Sequence, residues 1–264
     1  MKIPIFQVDA FTSRVFSGNP AAVCILEKWL DDNLLQCIAA ENNLSETAFL
    51  VSSNGFLDLR WFTPTTEVTL CGHATLAAAF VLFNVYQHPE ESVHFQTRKR
   101  GRLTVTSRGD LLEMDFPAIS VFNQSPPRGL VRALGVEPLG VYGSDEDMLV
   151  ILDSEQTVRR LNPDFNLLSQ VDCRGVIITA RGEKRDFVSR FFGPRVGINE
   201  DPVTGSAHCV LTPYWAKRLH KTSLHALQVS RRGGELFCKH TGQRVKISGR
   251  AALYLKGEIT VPDN

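Results

Sequence analysis

EVTLCGHATLAAAFVLF, residues 67–83, passes from a polar, turn-prone segment into an unbroken apolar series. Gly72 and His73 lie at this change, and the residues from 74 to 85 have almost no polar face. A helix that is apolar nearly all round belongs in a core. The stretch therefore predicts a buried helix whose first turn carries a glycine and a titratable ring.

A second copy of this arrangement lies in the other half of the chain. RWFTP at residues 60–64 matches RFFGP at residues 190–194. Each copy is followed by an acidic residue and then by a glycine, Gly72 or Gly205, that begins a helix of small residues. The repeat predicts two related α/β domains, with the starts of the two helices facing one cleft.

The domain limits follow from a proline-rich polar segment near the middle of the chain, residues 122–129, which is the best candidate for a linker. We therefore place an N-terminal domain at residues 1–119 and a C-terminal domain at residues 127–264. The last residues of the chain are able to pair back onto the first domain.

Local signals predict one further helix in the first domain. Asp31 and Asp32 precede the apolar positions Leu34, Leu35 and Ile38, as helix-capping residues do. The pair Asn42-Asn43 would end this helix after about Ala40. The flanking residues 3–8 and 47–52 have the composition of strands.

Charge and composition exclude several classes of partner. The 29 basic and 28 acidic residues give a net charge of +1, so the chain offers no basic surface for nucleic acid or anionic membrane. Its longest apolar run, residues 76–83, is far below the ~18 residues of a membrane helix. With no signal peptide either, we expect a soluble, cytoplasmic protein whose six irregularly spaced cysteines are reduced.

The two helix starts are candidate anion sites. The first N–H groups of a helix have no internal partners and carry the positive end of its dipole. A glycine there lets a ligand approach the backbone closely. Gly72 and Gly205 thus indicate a site for a small carboxylate, although glycines that serve only packing and capping would give the same pattern.

Three titratable residues accompany these starts. Glu46 lies at the edge of an apolar strand, where partial burial would raise its pKa toward neutrality, unless it is an ordinary surface glutamate. His73 should be neutral because the helix dipole opposes imidazolium, whether it serves catalysis, capping or the core. Asp201 is placed to orient a base or to bind a substrate amine or hydroxyl. Ser206 by default caps its own helix.

Other motifs are missing. The sequence has no Gly-x-Ser-x-Gly elbow of a hydrolase, no His-Glu-x-x-His or Cys-x-x-Cys zinc pattern, and no Gly-x-Gly-x-x-Gly or P-loop for a nucleotide. We therefore expect neither a metal nor an organic cofactor.

Six sequence blocks, taken together, resemble the PhzF-like family of phenazine biosynthesis-like isomerases. The blocks are VDAFT at 8–12, GNPA at 18–21, SETAF at 45–49, RWFTP at 60–64, CGHAT at 71–75 and EDPVTGSA at 200–207. They occur in the family's order over most of the chain, which makes the combination specific. The resemblance implies the diaminopimelate epimerase fold, with two pseudo-symmetric domains that each curl a mostly antiparallel sheet around a central helix.

The resemblance also implies an activity: isomerisation of a small carboxylated metabolite, without metal or cofactor, in a cleft between the domains and often in a homodimer. Glu46 matches the family's proton-shuttling glutamate, and His73 matches the histidine that assists it. Asp201 matches the aspartate that contacts the substrate and helps to orient the proton chemistry.

Substrate contacts are expected at both helix starts. Ser206 matches the family's serine at the second start, and Ser45 and Cys71 lie in the matching blocks around the base and the first start. Backbone N–H groups of Gly72 and Gly205 would bind the substrate carboxylate.

Two alternatives remain open at this stage. A cysteine-dependent racemase would use Cys71, which lies near the place of one of the two thiols of diaminopimelate epimerases. The second helix start carries no thiol, and Cys209 follows about one turn later. The other alternative is a binding or interaction protein that keeps the fold without catalysis.

Overall fold

The structure is a computed structural model and describes residues 1–53 and 56–262. The last two residues of the predicted second domain therefore lie outside the described residues. The helices are α1 (Asp32–Asn42), α2 (Gly72–Asn84), α3 (Leu130–Leu134), α4 (Glu155–Arg160), α5 (Phe165–Leu168) and α6 (Gly205–Leu219). The strands are β1 (Lys2–Ala10), β2 (Asn19–Leu26), β3 (Glu46–Ser53), β4 (Phe56–Phe62), β5 (Glu67–Val68), β6 (Ser92–Thr97), β7 (Gly101–Arg108), β8 (Leu111–Pro117), β9 (Phe122–Asn123), β10 (Gly140–Gly143), β11 (Asp147–Ile151), β12 (Gly175–Arg181), β13 (Phe187–Gly193), β14 (Ile198–Asp201), β15 (Ser223–Gln228), β16 (Gly234–Thr241), β17 (Arg244–Gly249) and β18 (Ala251–Thr260).

The chain forms two compact units. One contains the residues up to Asp115 together with those from Ser248 onward, and the other is Phe116–Ile247. The residues from Ser248 thus group with the first unit, and β18 pairs with β1, as expected for the last residues of the chain alongside the limits 1–119 and 127–264. The division into separately folding domains stays a prediction.

The sheet of the first unit is mostly antiparallel. β1 is antiparallel to both β18 and β2. β2 runs parallel to β3, which is antiparallel to β4. β4 is parallel to β6 and antiparallel to the short β5. β6, β7 and β8 continue as an antiparallel meander.

The second unit repeats this order of pairings. β10 is antiparallel to β11, β11 is parallel to β12, and β12 is antiparallel to β13. β13 is parallel to β15 and antiparallel to the short β14, and β15 is antiparallel to β16. The repeat predicted from a few residues around the two helix starts therefore extends to the whole order of strands.

Within the described residues, each unit has one helix of 13 or more residues, called here its long helix, which packs on its sheet. α2 contacts β1, β2 and β3, and its residues from His73 to Ala79 are all buried. Full burial of a side chain such as Leu76 contributes about 1.5–3 kcal/mol, so this helix anchors the core of its unit. α6 contacts β15 and β16. The prediction of a buried helix from the apolar stretch is confirmed.

The segment predicted as a linker, residues 122–129, begins with a short strand. Phe122 and Asn123 form β9, which pairs with β10 through Gly143 and Tyr142. The Phe122 ring lies so close to Gly143 that a Cβ there would come within 2.5 Å of it. The missing side chain of this glycine thus lets the segment pair as a strand.

None of the helices in the described ranges is long and apolar enough to cross a membrane.

Candidate active site

An arginine–glutamate pair holds the segment that leads into each long helix. Nε and Nη2 of Arg60 donate to the two carboxylate oxygens of Glu67, both at 2.8 Å. Arg190 makes the same paired contact with Glu200, at 2.7 and 2.9 Å. Bidentate pairs of this kind fix geometry as well as charge. They tie β4 to β5 and β13 to β14, immediately before α2 and α6 begin.

In the first unit, Glu46 and His73 lie against each other. Glu46 is the first residue of β3 with a side chain only 13% exposed, and His73 is the second residue of α2 and is buried. His73 Nε2 lies 3.2 Å from Glu46 Oε2. The two atoms are not aligned as a hydrogen bond, and Nε2 has no hydrogen-bond partner within the described part of the chain. Catalytic contacts are often loose in this way before a ligand binds.

The other nitrogen of His73 has polar neighbours. Its Nδ1 lies 3.2 Å from Asn19 Nδ2 and 3.5 Å from the Cys71 sulfur. The Ser45 hydroxyl donates to Asn19 Oδ1 at 3.2 Å. Cys71 and Ser45, both expected at the site, are thus close to the Glu46–His73 pair. Sequence reasoning assigned no role to Asn19, although it lies in the GNPA block at 18–21.

Burial sets the charge of His73. It lowers the pKa of this imidazole from 6.5 to about 3, so the ring is neutral at neutral pH. The neutrality expected from the sequence agrees with this direction. Its cause is different, because the expectation rested on the helix dipole whereas burial of the ring dominates.

Three potential metal ligands also meet here. Ligand atoms of Glu46, Cys71 and His73 lie within 4.8 Å of one another. However, Glu46 contacts Nε2 of the ring, whereas Cys71 contacts Nδ1. A histidine normally binds a metal ion through one nitrogen, and these two contacts lie on different nitrogens of the ring. The donor set fits a hydrogen-bonded chain better than a metal centre.

In the second unit, Asp201 is fixed at the start of α6. The Thr204 hydroxyl donates to Asp201 Oδ2 at 2.5 Å. Gln228, which is fully buried, donates from Nε2 to the Asp201 carbonyl at 2.8 Å and accepts from the Thr204 N–H at 2.9 Å. Gln228 carried no sequence signal, since it lies 27 residues from Asp201 on another strand.

Ser206 is the second residue of α6, two residues beyond the capping residue. Thr204 occupies the N-cap, so the default expectation that Ser206 caps its own helix is wrong. Its hydroxyl instead accepts from Arg174 Nη2 at 3.3 Å. Arg174 is held by Asp147 through contacts of 2.9 and 2.5 Å. Burial raises the pKa of Asp147, and the hydrogen bond from Arg174 only partly offsets this.

Further along α6 are a buried imidazole and a buried thiol. His208 Nδ1 lies 2.8 Å from the Thr204 carbonyl oxygen. Burial lowers the pKa of His208 to about 4, although this contact opposes the shift. Burial raises the pKa of Cys209 to about 12, which keeps the sulfur protonated. Cys209 is therefore not available as a thiolate base.

Residues 8–257 match the family model described as phenazine biosynthesis-like protein. The chain belongs to this family. It is 54% identical to an uncharacterized isomerase of Pseudomonas aeruginosa over 98% of this chain and 99% of that protein. The crystal structure of a PhzF-family phenazine biosynthesis protein from Enterococcus faecalis is 50% identical, with a TM-score of 0.96, and the match covers 99% of this chain and all of that one.

A solved structure with low sequence identity shares the fold. A protein from Pseudomonas aeruginosa titled a predicted epimerase has a TM-score of 0.78 at 20% identity, covering 98% of this chain and 100% of that one, which is a likeness of fold alone. The predicted fold, an epimerase-like arrangement of sheets and central helices, is confirmed. The isomerase names of the relatives indicate an isomerase-like enzyme in general.

Proposed function

We propose that the protein is a cofactor-independent isomerase that moves a proton on a small carboxylated metabolite, with Glu46 as the acid/base group. One observation carries the proposal. A nearly buried carboxylate lies 3.2 Å from a buried, neutral imidazole at the start of the central helix of the first unit. A core or an interface gains little from such a pair, because burying a carboxylate is costly unless its charge is used or compensated.

The roles follow from the chemistry of the two groups. Glu46 would take a proton from one carbon of the substrate and return it to another. His73 stays neutral because its pKa is about 3, so it would act as a hydrogen-bonding partner of Glu46 rather than as a fixed positive charge. General acid–base catalysis of this kind typically contributes ~100- to 10,000-fold in rate.

The start of α2 would stabilise the negative charge that develops on the substrate. Its first N–H groups, beginning at Gly72, have no intrahelical partners and carry the positive end of the dipole. The Cys71 thiol, at the N-cap position, lies beside the His73 ring rather than capping these groups. A substrate carboxylate or enolate oxygen is the ligand that suits them. Asp201, Gly205 and Ser206 are assigned to the site by the family resemblance.

A thiol-dependent reaction fits less well. Cys71 would need to become a thiolate, and its nearest candidate base is His73 Nδ1 at 3.5 Å. The resulting imidazolium would be buried on a ring whose pKa is about 3, which opposes the transfer. We therefore assign proton transfer to the carboxylate.

The test is deuterium incorporation from heavy water. The protein is incubated with a pool of small cyclic and amino-acid carboxylates, and masses are compared with those from a Glu46→Gln variant. The matched control is Glu41→Gln, which makes the same change on an exposed helical glutamate. We expect one compound to gain mass with the wild type and with Glu41→Gln only. An equal mass gain with Glu46→Gln would sink the proposal.

A further inference from the structure

The amide of Asn19 lies beside Nδ1 of His73, whereas Glu46 lies beside the other ring nitrogen, Nε2. Asn19 is fully buried at the first position of β2, and its Nδ2 is 3.2 Å from His73 Nδ1. An amide nitrogen has only protons to give, so Nδ1 must accept and carries no proton itself. A neutral imidazole has one N–H, which then lies on Nε2. This contact therefore selects one of the two tautomers.

The orientation of the amide has a second support. Ser45 donates its hydroxyl to Asn19 Oδ1 at 3.2 Å, an arrangement that agrees with the nitrogen end facing His73. In the reverse orientation Nδ1 would carry the proton, and a bare Nε2 would face Glu46 Oε2 at 3.2 Å. Two lone pairs facing each other in a buried place are unfavourable while Glu46 is ionised. The contacts on both sides of the ring thus favour the same tautomer.

We infer that Asn19 is a positioning residue that holds His73 as the Nε2–H tautomer, with this N–H on the edge of the ring that lies 3.2 Å from Oε2 of Glu46. His73 would then donate this hydrogen bond to the carboxylate when a bound ligand tightens the contact, and would not act as a proton carrier. The assignment of the tautomer does not depend on the proposed function, whereas its consequence for catalysis rests on that function.

The consequence concerns which oxygen of Glu46 reacts. With Oε2 facing the imidazole N–H, the substrate proton goes to Oε1. A substrate C–H bond breaks, its electron pair stays on the substrate, and an O–H bond forms at Oε1. On return this O–H bond breaks and a new C–H bond forms at another carbon. His73 keeps its own proton throughout.

His208 of the second unit serves as an internal reference for the tautomer of His73. His208 is also buried and neutral, but its Nδ1 faces the carbonyl oxygen of Thr204 at 2.8 Å. A carbonyl oxygen only accepts, so here Nδ1 carries the proton and Nε2 is bare. Within the described residues this Nε2 has no hydrogen-bond partner. The two buried histidines are therefore expected in opposite tautomers.

The experiment is a long-range ¹H–¹⁵N correlation spectrum of the imidazoles in the full-length, ¹⁵N-labelled protein at pH 7. His73→Gln and His208→Gln assign the two signals. We expect the Nε2–H pattern for His73 and the Nδ1–H pattern for His208. An Nδ1–H or imidazolium pattern for His73 would overturn the inference. This spectrum of the wild type decides the tautomer without a substrate.

The role of Asn19 is tested with Asn19→Asp, which replaces the amide donor by an acceptor of the same shape. We expect the His73 proton to move to Nδ1 and kcat to fall by about 100-fold, with KM little changed. The matched control is Asn33→Asp, on an exposed asparagine of the same unit, which should change neither. A folded Asn19→Asp that keeps the Nε2–H pattern would contradict the assignment.

The two proposals fail in different ways. If Glu46→Gln keeps full turnover, the proposed function is wrong and the tautomer result is unaffected. If Glu46→Gln is inactive and wild-type His73 shows the Nδ1–H pattern, only the inference about Asn19 is wrong.

Discussion

Replacing Arg60 by alanine is expected to lower the free energy of unfolding by about 3 kcal/mol. The guanidinium is only 2% exposed and donates three hydrogen bonds of 2.8 Å, two to Glu67 and one to Asp32. Removing one partner of a buried ion pair costs ~3–5 kcal/mol, because the remaining charge stays desolvated. Glu67 is 32% and Asp32 61% exposed, so water restores part of their solvation. The loss should therefore fall at the lower end of that range.

Arg98→Ala is the matched control. Arg98 is 53% exposed and approaches the same two carboxylates only to 3.6 Å. Exposed ion pairs contribute about 0–1 kcal/mol, so this variant should be nearly as stable as the wild type. Urea unfolding of the full chain, followed by circular dichroism and tryptophan fluorescence, measures both losses. Equal losses, or a loss below about 1 kcal/mol for Arg60→Ala, would refute the reasoning.

The contacts of Arg60 with Glu67 and Asp32 also predict that the free energy of unfolding depends on pH. The hydrogen bonds from Arg60 are the leading cause that lowers the pKa values of Glu67 and Asp32. A carboxylate whose pKa is lower in the folded state stabilises the fold above its unfolded pKa, about 4, and this stability is lost as the pH falls through the folded value. The difference between wild type and Arg60→Ala should therefore shrink below about pH 4.

Three further outcomes are expected. Burial lowers the pKa values of His73 and His208 to about 3 and about 4, so the unfolded chain binds protons that the folded chain excludes. As the pH falls below about 6.5, each should lower the free energy of unfolding by up to about 1.4 kcal/mol per pH unit, and equal urea midpoints at pH 7 and pH 5 would contradict this. Cys71→Ala should keep turnover, measured by deuterium incorporation, whereas complete loss would favour thiol chemistry. Thr204→Val removes the hydroxyl that donates to Asp201 and should cost about 1.5–3 kcal/mol in urea unfolding; no loss would show that this bond is not formed.

Elements with local signals were predictable from the sequence. Asp31 caps α1 by accepting from the N–H of Asn33, and Asn43 ends the helix in a left-handed conformation. The polar-to-apolar change at Gly72 marked the start of α2. Such signals act within one turn of the backbone, so the sequence alone displays them. The approach of Glu46 to His73 is not local, and it was expected only from the family resemblance.

Contacts between residues far apart in the chain could not be predicted from the sequence. Asn19 reaches His73 across 54 positions of the chain, and Arg174 reaches Ser206 across 32. Neither lies in a motif whose spacing reveals the contact. The pairing of β2 with β3, and the position of each long helix on its sheet, bring these groups together. The cause of the neutrality of His73 was missed for the same reason, since burial is a property of the folded chain.

The most direct test of the account is the turnover of Glu46→Gln on the compound that the heavy-water screen identifies. Glutamine keeps the size of the side chain and removes its ability to carry the proton. We expect a variant with wild-type circular dichroism and a rate lower by ~100- to 10,000-fold. Wild-type turnover by this folded variant would contradict it and would remove Glu46 from the chemistry.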